Sequence, residues 1–199
     1  MKWIGERISF IDDKQKTTIV ILPERNGFVN ALMGAWVAMW LVVGITLIWA
    51  LSALNLSRDE ILFIIVFLVL WLYYLVRVTR QFIWLLWGKE MLKLDKKGLV
   101  YKKDIKGYGK ALLYYFDNME EFESYIPDTK SLQYVWEKSP WTRGGERLQF
   151  GYKGKFIRFG RKLEEKDAKL LFQLLNSKRH EYSKIARREE KQNQNQTED

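Results

Sequence analysis

The residues of this chain whose types could do chemistry are not spaced to do it. Gly107-Tyr-Gly109-Lys110 is a lone glycine-x-glycine behind a strand-like stretch. A phosphate cradle needs a longer glycine pattern that opens a helix, so a β-turn accounts for these residues better. Glu120, Glu121 and Glu123 cluster without a histidine or a second acidic motif, the pattern of a solvated edge rather than of a metal site. His180, the single histidine, stands in a charged stretch with no neighbour to make it a general base. Zero cysteines remove disulfides, thiolate metal sites and cysteine nucleophiles. GxSxG, HExxH and P-loop patterns are absent. The expectation is a non-enzymatic protein with no cofactor and no metal.

Cations and aromatics are the stronger candidates, and their chemistry is recognition. The 199 residues hold 33 Lys/Arg against 24 Asp/Glu, a net charge of +9, and most of the excess lies beyond residue 87. Lys96, Lys97, Lys102 and Lys103, with Lys106 and Lys110 nearby, form one cluster; Lys153, Lys155 and Arg158, followed by Arg161 and Lys162, form another. Near an anionic leaflet each cation is worth about 1 kcal/mol. The plainer reading is a solvated positive face. Tyr108 and Trp141, the latter in a Pro/Gly-rich stretch, are candidate contacts for a protein partner. Trp141 reads equally well as a residue that pins its own loop to the domain.

Two uncharged apolar runs decide where these residues work. They span about 30–54 and 61–76, separated by Asn55-Leu-Ser-Arg-Asp-Glu60, and the second helix is expected to run on through Arg77 to about residue 80. About 20 apolar residues suffice to cross a bilayer, so the pair reads as a transmembrane hairpin. Ser57 and Glu60 have the spacing of a capping box that starts the second helix. Ala31, Gly34, Ala35 and Ala38 line one helical stripe on which another helix can pack closely, most simply the hairpin's own partner. Arg77 and Arg80, one turn apart, are placed to snorkel to lipid phosphates. Phe82–Trp87 either continues the helix along the interface or enters the next domain. Lys and Arg flank the hairpin on the side of its termini. The positive-inside rule therefore predicts a multi-pass protein of a bacterial inner membrane with both termini cytoplasmic. Anionic headgroups are the expected lipid contact, and a membrane protein or a second copy the expected partner. Nucleic acid is not expected.

The flanks complete four segments: 1–27, 28–87, 88–178 and 179–199. Within 1–27, two short strands around Asp12-Asp13-Lys14-Gln15 dock on the later domain or lie at the membrane surface, because an isolated hairpin is marginal. Segment 88–178 alternates with period two. Strands are expected at 90–95, 99–106, 111–116, 121–126 (or a short helix there), around Leu132, Tyr134 and Trp136, around Leu148, Phe150 and Tyr152, and around Ile157 and Phe159. Ala168, Leu171, Phe172 and Leu175 then mark one face of a closing helix. Lys178–Lys191 extends that helix into solvent, and Gln192–Asp199 is predicted to be disordered.

Gly88-Lys-Glu-Met-Leu-Lys-Leu-Asp-Lys-Lys-Gly-Leu-Val-Tyr101 and Gly160-Arg-Lys-Leu-Glu-Glu-Lys-Asp-Ala-Lys169, with the order of elements around them, carry a resemblance. The chain resembles bacterial membrane proteins with a pleckstrin-homology-like (PH-like) cytoplasmic domain behind a two-helix hairpin. More distantly, its layout is similar to that of the chloroplast photosystem I assembly protein. The resemblance implies a membrane α-hairpin plus an α+β domain, a PH-like antiparallel barrel or sandwich of about seven strands capped by one helix. It implies an assembly factor or accessory subunit that works by protein interaction. The alternative is a lipid-binding module that senses anionic headgroups through the basic clusters. Neither stretch is a functional motif, so no site residue is carried over.

Overall fold

The computed structural model describes residues 1–13, 15–125, 130–139, 141–142 and 144–195. Lys14 in the first turn, residues 126–129 at the end of the expected fourth strand, Pro140 and Arg143 in the Pro/Gly stretch, and tail residues 196–199 lie outside the described residues. The chain divides into two units. One comprises Met1–Glu24, Trp87–Lys138 and Gly144–Asp199; the other comprises Arg25–Leu86 with Ser139–Arg143.

The first unit is a mostly antiparallel β structure. Strands β1 (Lys2–Ile4), β2 (Ile8–Asp12), β3 (Lys16–Ile21), β4 (Gly88–Asp95), β5 (Gly98–Ile105) and β6 (Ala111–Tyr115) form one six-stranded sheet in chain order. Strands β7 (Met119–Ser124), β8 (Glu146–Tyr152) and β9 (Lys155–Arg161) form a second sheet. The N-terminal strands therefore belong to the same sheet as the strands after the hairpin: β3 pairs with β4 from Lys16↔Asp95 to Ile21↔Glu90. The domain expected at residues 88–178 thus begins at the N-terminus and is interrupted by the hairpin. Among the described residues, three strands precede the hairpin where two were expected and six follow it where about seven were expected, and the two sheets do not close into a barrel.

Alternation explains the core. In β4, Gly88, Glu90, Leu92 and Leu94 are buried and their neighbours are half-buried. Ile8, Ile19, Ile21, Leu92, Leu94, Leu99, Phe122, Leu148, Phe150 and Phe159 join in one cluster with Ala168, Leu171 and Leu175 of the last helix. Phe150 packs edge-on to both Phe122 and Tyr114, an arrangement that suits the ring quadrupoles. Gly98 is fixed by close approach: a Cβ there would lie 2.1 Å from the Tyr114 carbonyl oxygen.

Three expectations are overturned here. Residues 132–138 form helix α3 (Leu132–Lys138), not a strand. Ser131 Oγ accepts from the Tyr134 amide at 3.1 Å, an N-cap that turns a run fitting period two into a helix. Helix α4 (Glu165–Asn195) is continuous, so Gln192–Asn195 is helical rather than disordered. Nor does α4 leave the core at Lys178. Tyr182 is fully buried, its hydroxyl 2.9 Å from Thr17 Oγ1, and Ile185 packs against the same cluster.

The second unit is the apolar hairpin of α1 (Gly27–Ala53) and α2 (Arg58–Trp87), whose last residue counts with the β unit. Both helices are long and apolar enough to cross a membrane, and only a small part of each is buried within the protein. Asn26 Oδ1 caps α1 by accepting from the Phe28 and Val29 amides. The Ser57–Glu60 box forms reciprocally, with Ser57 N–H donating to Glu60 at 2.8 Å and Glu60 N–H to Ser57 Oγ at 3.4 Å. Residues 82–87 continue α2 without a break.

An exchange of indole bonds locks the helices. Trp40 Nε1 donates to the Trp71 carbonyl at 3.1 Å, and Trp71 Nε1 donates to the Trp40 carbonyl at 2.7 Å. In a water-free setting these bonds satisfy two donors that would otherwise be costly to bury. Gly44 provides the space, since a Cβ there would sit 2.0 Å from Cζ2 of Trp71. Gly44→Val is expected to drive Trp71 from this seat at a cost of about 1–3 kcal/mol. The check is a lower midpoint in thermal unfolding of the detergent-purified protein followed by helical circular dichroism.

Candidate functional site

β4 begins at Gly88 with no linker after α2, and two residues later it buries a carboxylate. Glu90 is 2% exposed. It accepts from the Tyr101 hydroxyl at 2.9 Å and from the Gly160 and Arg161 amides at 3.0 and 3.1 Å, tying the first sheet to β9 of the second. Burial, then the Glu90 charge, raises the Tyr101 phenol far above its ordinary value, so this hydroxyl stays a donor. Arg7 works beside it, donating to the main-chain carbonyls of Leu22, Arg161 and Lys162. Burial lowers the Arg7 pKa, opposed by the charges of Glu24 and Glu90. These groups spend their hydrogen bonds on structure. Together they are a clamp.

A cavity of about 740 Å³ opens nearby, lined by Glu24, Tyr134, Glu137, Arg147, Lys162 and Phe172 among others. Burial, and then neighbouring Arg161, lowers Lys162 to about 8. Its lining mixes both charges with aromatic surface, which suits binding. Among the described residues no group of three or more His, Cys, Asp or Glu is placed to hold a metal ion. Glu120, Glu121 and Glu123 lie on exposed stretches of β7, and His180 is exposed on α4.

The basic residues expected to meet lipid do not converge. Lys96 and Lys97 occupy the β4–β5 turn, where Lys96 pairs with Glu189. With Lys16, Lys93, Arg179 and Arg187 they line an open cleft of about 1300 Å³. Lys102 and Lys103 lie further along β5 and, as consecutive strand residues, point to opposite faces. Lys102 pairs with Asp104 at 2.6 Å, and Lys103 lies 3.7 Å from Glu146. Lys153 and Lys155 flank the β8–β9 turn, and Arg158 stacks on Tyr125 at 4.3 Å. Arg77 and Arg80 are exposed on α2, with Arg77 donating to the Tyr73 hydroxyl at 3.0 Å.

Of the two partner candidates, Tyr108 is 83% exposed beyond the tight Lys106-Gly107 turn. The glycine-x-glycine is thus a turn, both of whose central residues have positive φ. Trp141 is half-buried and belongs to the hairpin unit, edge-on to Trp36 at 5.8 Å and packed with Met33, Val78 and Leu85. It pins its loop, but to the apolar helices rather than to the β domain. The small-residue stripe is also corrected. Gly34 faces Phe82 at 3.2 Å from its would-be Cβ, whereas Ala31, Ala35 and Ala38 are exposed. The face that packs instead carries Met33, Val37, Trp40 and Gly44, because large indoles interlocked over one glycine fill the interface better than a run of alanines.

Sequence reasoning missed two apolar surfaces. The first is β6, which ends the six-stranded sheet and leaves Leu112, Leu113 and Tyr115 exposed while only Tyr114 is buried. The second is α3, which exposes Leu132, Val135 and Trp136 at i, i+3 and i+4. The uncharged run Ala111–Phe116 was the available signal for the first; the helical spacing was the signal for the second. No family model, no curated protein and no solved structure matches this chain.

Glu90→Ala, which strands the Tyr101 hydroxyl and two amides in the interior, is expected to cost about 3 kcal/mol in denaturant unfolding. Asp104 supplies a pH test. The bond from Lys102, opposed by burial and helped by the Gly107 amide, holds its carboxyl below the ordinary value. A folded value below the unfolded one gives stability that is complete above about pH 4 and is lost as pH falls further. Unfolding midpoints measured from pH 6 to pH 2.5 should therefore fall, and Asp104→Asn should flatten that fall.

Proposed function

We propose that this chain is a non-enzymatic bacterial inner-membrane protein, with both termini cytoplasmic, whose β-rich unit is PH-like and docks a membrane-protein partner. It acts as an assembly factor or accessory subunit. The observation that carries the reading is the insertion of the whole apolar hairpin between two paired strands, β3 and β4. Residues on either side of the hairpin share one sheet, so both must lie on the same side of any bilayer that the helices cross. The surplus of Lys and Arg at that side makes it the cytoplasmic one. The sheets and the closing helix α4 support a PH-like plan, to which β1 and β2 are additions.

The docking surface is the β6 edge with Tyr108. An uncovered edge offers main-chain donors and acceptors to an added strand, and Leu112, Leu113 and Tyr115 supply side-chain contacts. Purification of the full-length protein in mild detergent is expected to bring down a stoichiometric partner. Leu113→Arg should lower its recovery at least tenfold, while the exposure of that residue leaves the fold intact. Undiminished recovery would remove the edge from the proposal.

A second reading is favoured by the cleft around Lys16, Lys93, Lys96, Lys97, Arg179 and Arg187, whose cations suit anionic headgroups. That reading wins if the protein purifies alone and retains anionic lipid that is lost, in a salt-sensitive way, on Lys96→Ala/Lys97→Ala, two of the cations that line the cleft.

A further inference from the structure

We propose that the outer face of α2 carries a site for one anionic phospholipid, with the phosphate between Arg77 and Arg80 and an acyl chain along Val69, Leu72 and Val76, beside the indole of Trp141. These residues and Tyr73 line a groove of about 700 Å³ within the hairpin unit. Its composition is graded as an amphiphile requires. Three aliphatic side chains occupy one part, and two guanidinium groups three residues apart on one helix face occupy the other. The Tyr73 hydroxyl accepts from Arg77 at 3.0 Å and so orients that guanidinium from within the groove.

Helix geometry puts the cations at the depth where phosphates lie. At 1.5 Å per residue, Arg77 and Arg80 stand about 24 and 28 Å along α2 from Ile61, where the apolar run begins. The hydrocarbon core is about 30 Å thick. The arginines thus reach the headgroup boundary and the aliphatic residues remain among acyl chains.

Two features separate this groove from an ordinary lipid-facing surface. Trp141 comes from outside both helices, packs against Trp36, Val78 and Leu85, and gives the groove a wall. An indole suits that boundary, with its apolar body toward the chains and its N–H toward the headgroups. Among the described residues the lining holds two cations and no carboxylate, so the ammonium of a zwitterionic lipid finds no partner among them while a net-negative headgroup is matched. The proposal rests on the hairpin crossing a bilayer but needs no docking partner, so failure of the β6 experiment leaves it standing.

The test is native mass spectrometry of the full-length protein released from neutral detergent, titrated with phosphatidylglycerol or phosphatidylcholine of equal chain length. Wild type should retain one phosphatidylglycerol at least ten times more tightly than phosphatidylcholine. Arg77→Gln/Arg80→Gln should abolish that preference, Trp141→Ala should weaken phosphatidylglycerol binding several-fold, and Lys96→Gln/Lys97→Gln should change neither. Equal retention of the two lipids by wild type overturns the proposal without reference to any variant. So does a preference that survives the double arginine substitution, or an affinity unmoved by loss of Trp141.

Discussion

The pairing of β3 with β4 is the constraint on which the rest of this structure depends. Six residues of each strand are held in register, from Lys16↔Asp95 to Ile21↔Glu90, although the hairpin separates them in the chain. Closing a flexible loop of about 66 residues costs on the order of 4 kcal/mol in chain entropy. The hairpin removes much of that cost. An antiparallel helix pair returns the chain near its starting point, and the reciprocal Trp40–Trp71 bonds hold the two arms together. Strand pairing and helix pairing thereby favour each other through the chain alone. Loss of either lengthens the loop that the other must close.

Buried polar groups are expensive unless fully satisfied, and the β unit places its own where they fasten it internally. β4 starts at the residue after α2, and within three residues it has committed Glu90 to the opposite sheet. Arg7 holds the Leu22 carbonyl just beyond β3 and, through the Arg161 and Lys162 carbonyls, the end of β9. Glu90 thus joins the two sheets, and Arg7 joins the segment that follows β3 to the same strand end.

Much of this was legible in the sequence wherever a single periodicity governed a long stretch. The apolar helices, the Ser57–Glu60 box, the β4–β5 hairpin and the Ala168–Leu175 face follow from local pattern, and the structure contains each of them. Leu132, Tyr134 and Trp136 misled because three apolar residues at period two also fit one helical turn, and the deciding Ser131 cap is a single hydroxyl. Gln192–Asn195 is helical despite its polarity because a helix already anchored by Tyr182 and Ile185 propagates cheaply. Small residues such as Ala31, Ala35 and Ala38 permit close approach, but permission does not select a face. Two indoles and Gly44 selected it, and no rule of spacing on one helix reveals a partner on the other.

The candidate sites were less legible for a related reason. A cluster of lysines in sequence becomes a patch only if the strands that carry it share a face, and alternation sends Lys102 and Lys103 to opposite sides. Trp141 shows the converse. In sequence it is a lone aromatic among turn residues, yet it packs with side chains from both helices, and it becomes the wall of a groove whose other members lie on α2. Recognition surfaces of this kind arise where separate elements meet, and their chemistry is set by neighbours that local pattern cannot supply. Glu90 is the limiting case. Its place in an alternating strand marks it as inward-facing, but only the arrival of Tyr101, Gly160 and Arg161 turns an expensive buried charge into the fastening of two sheets.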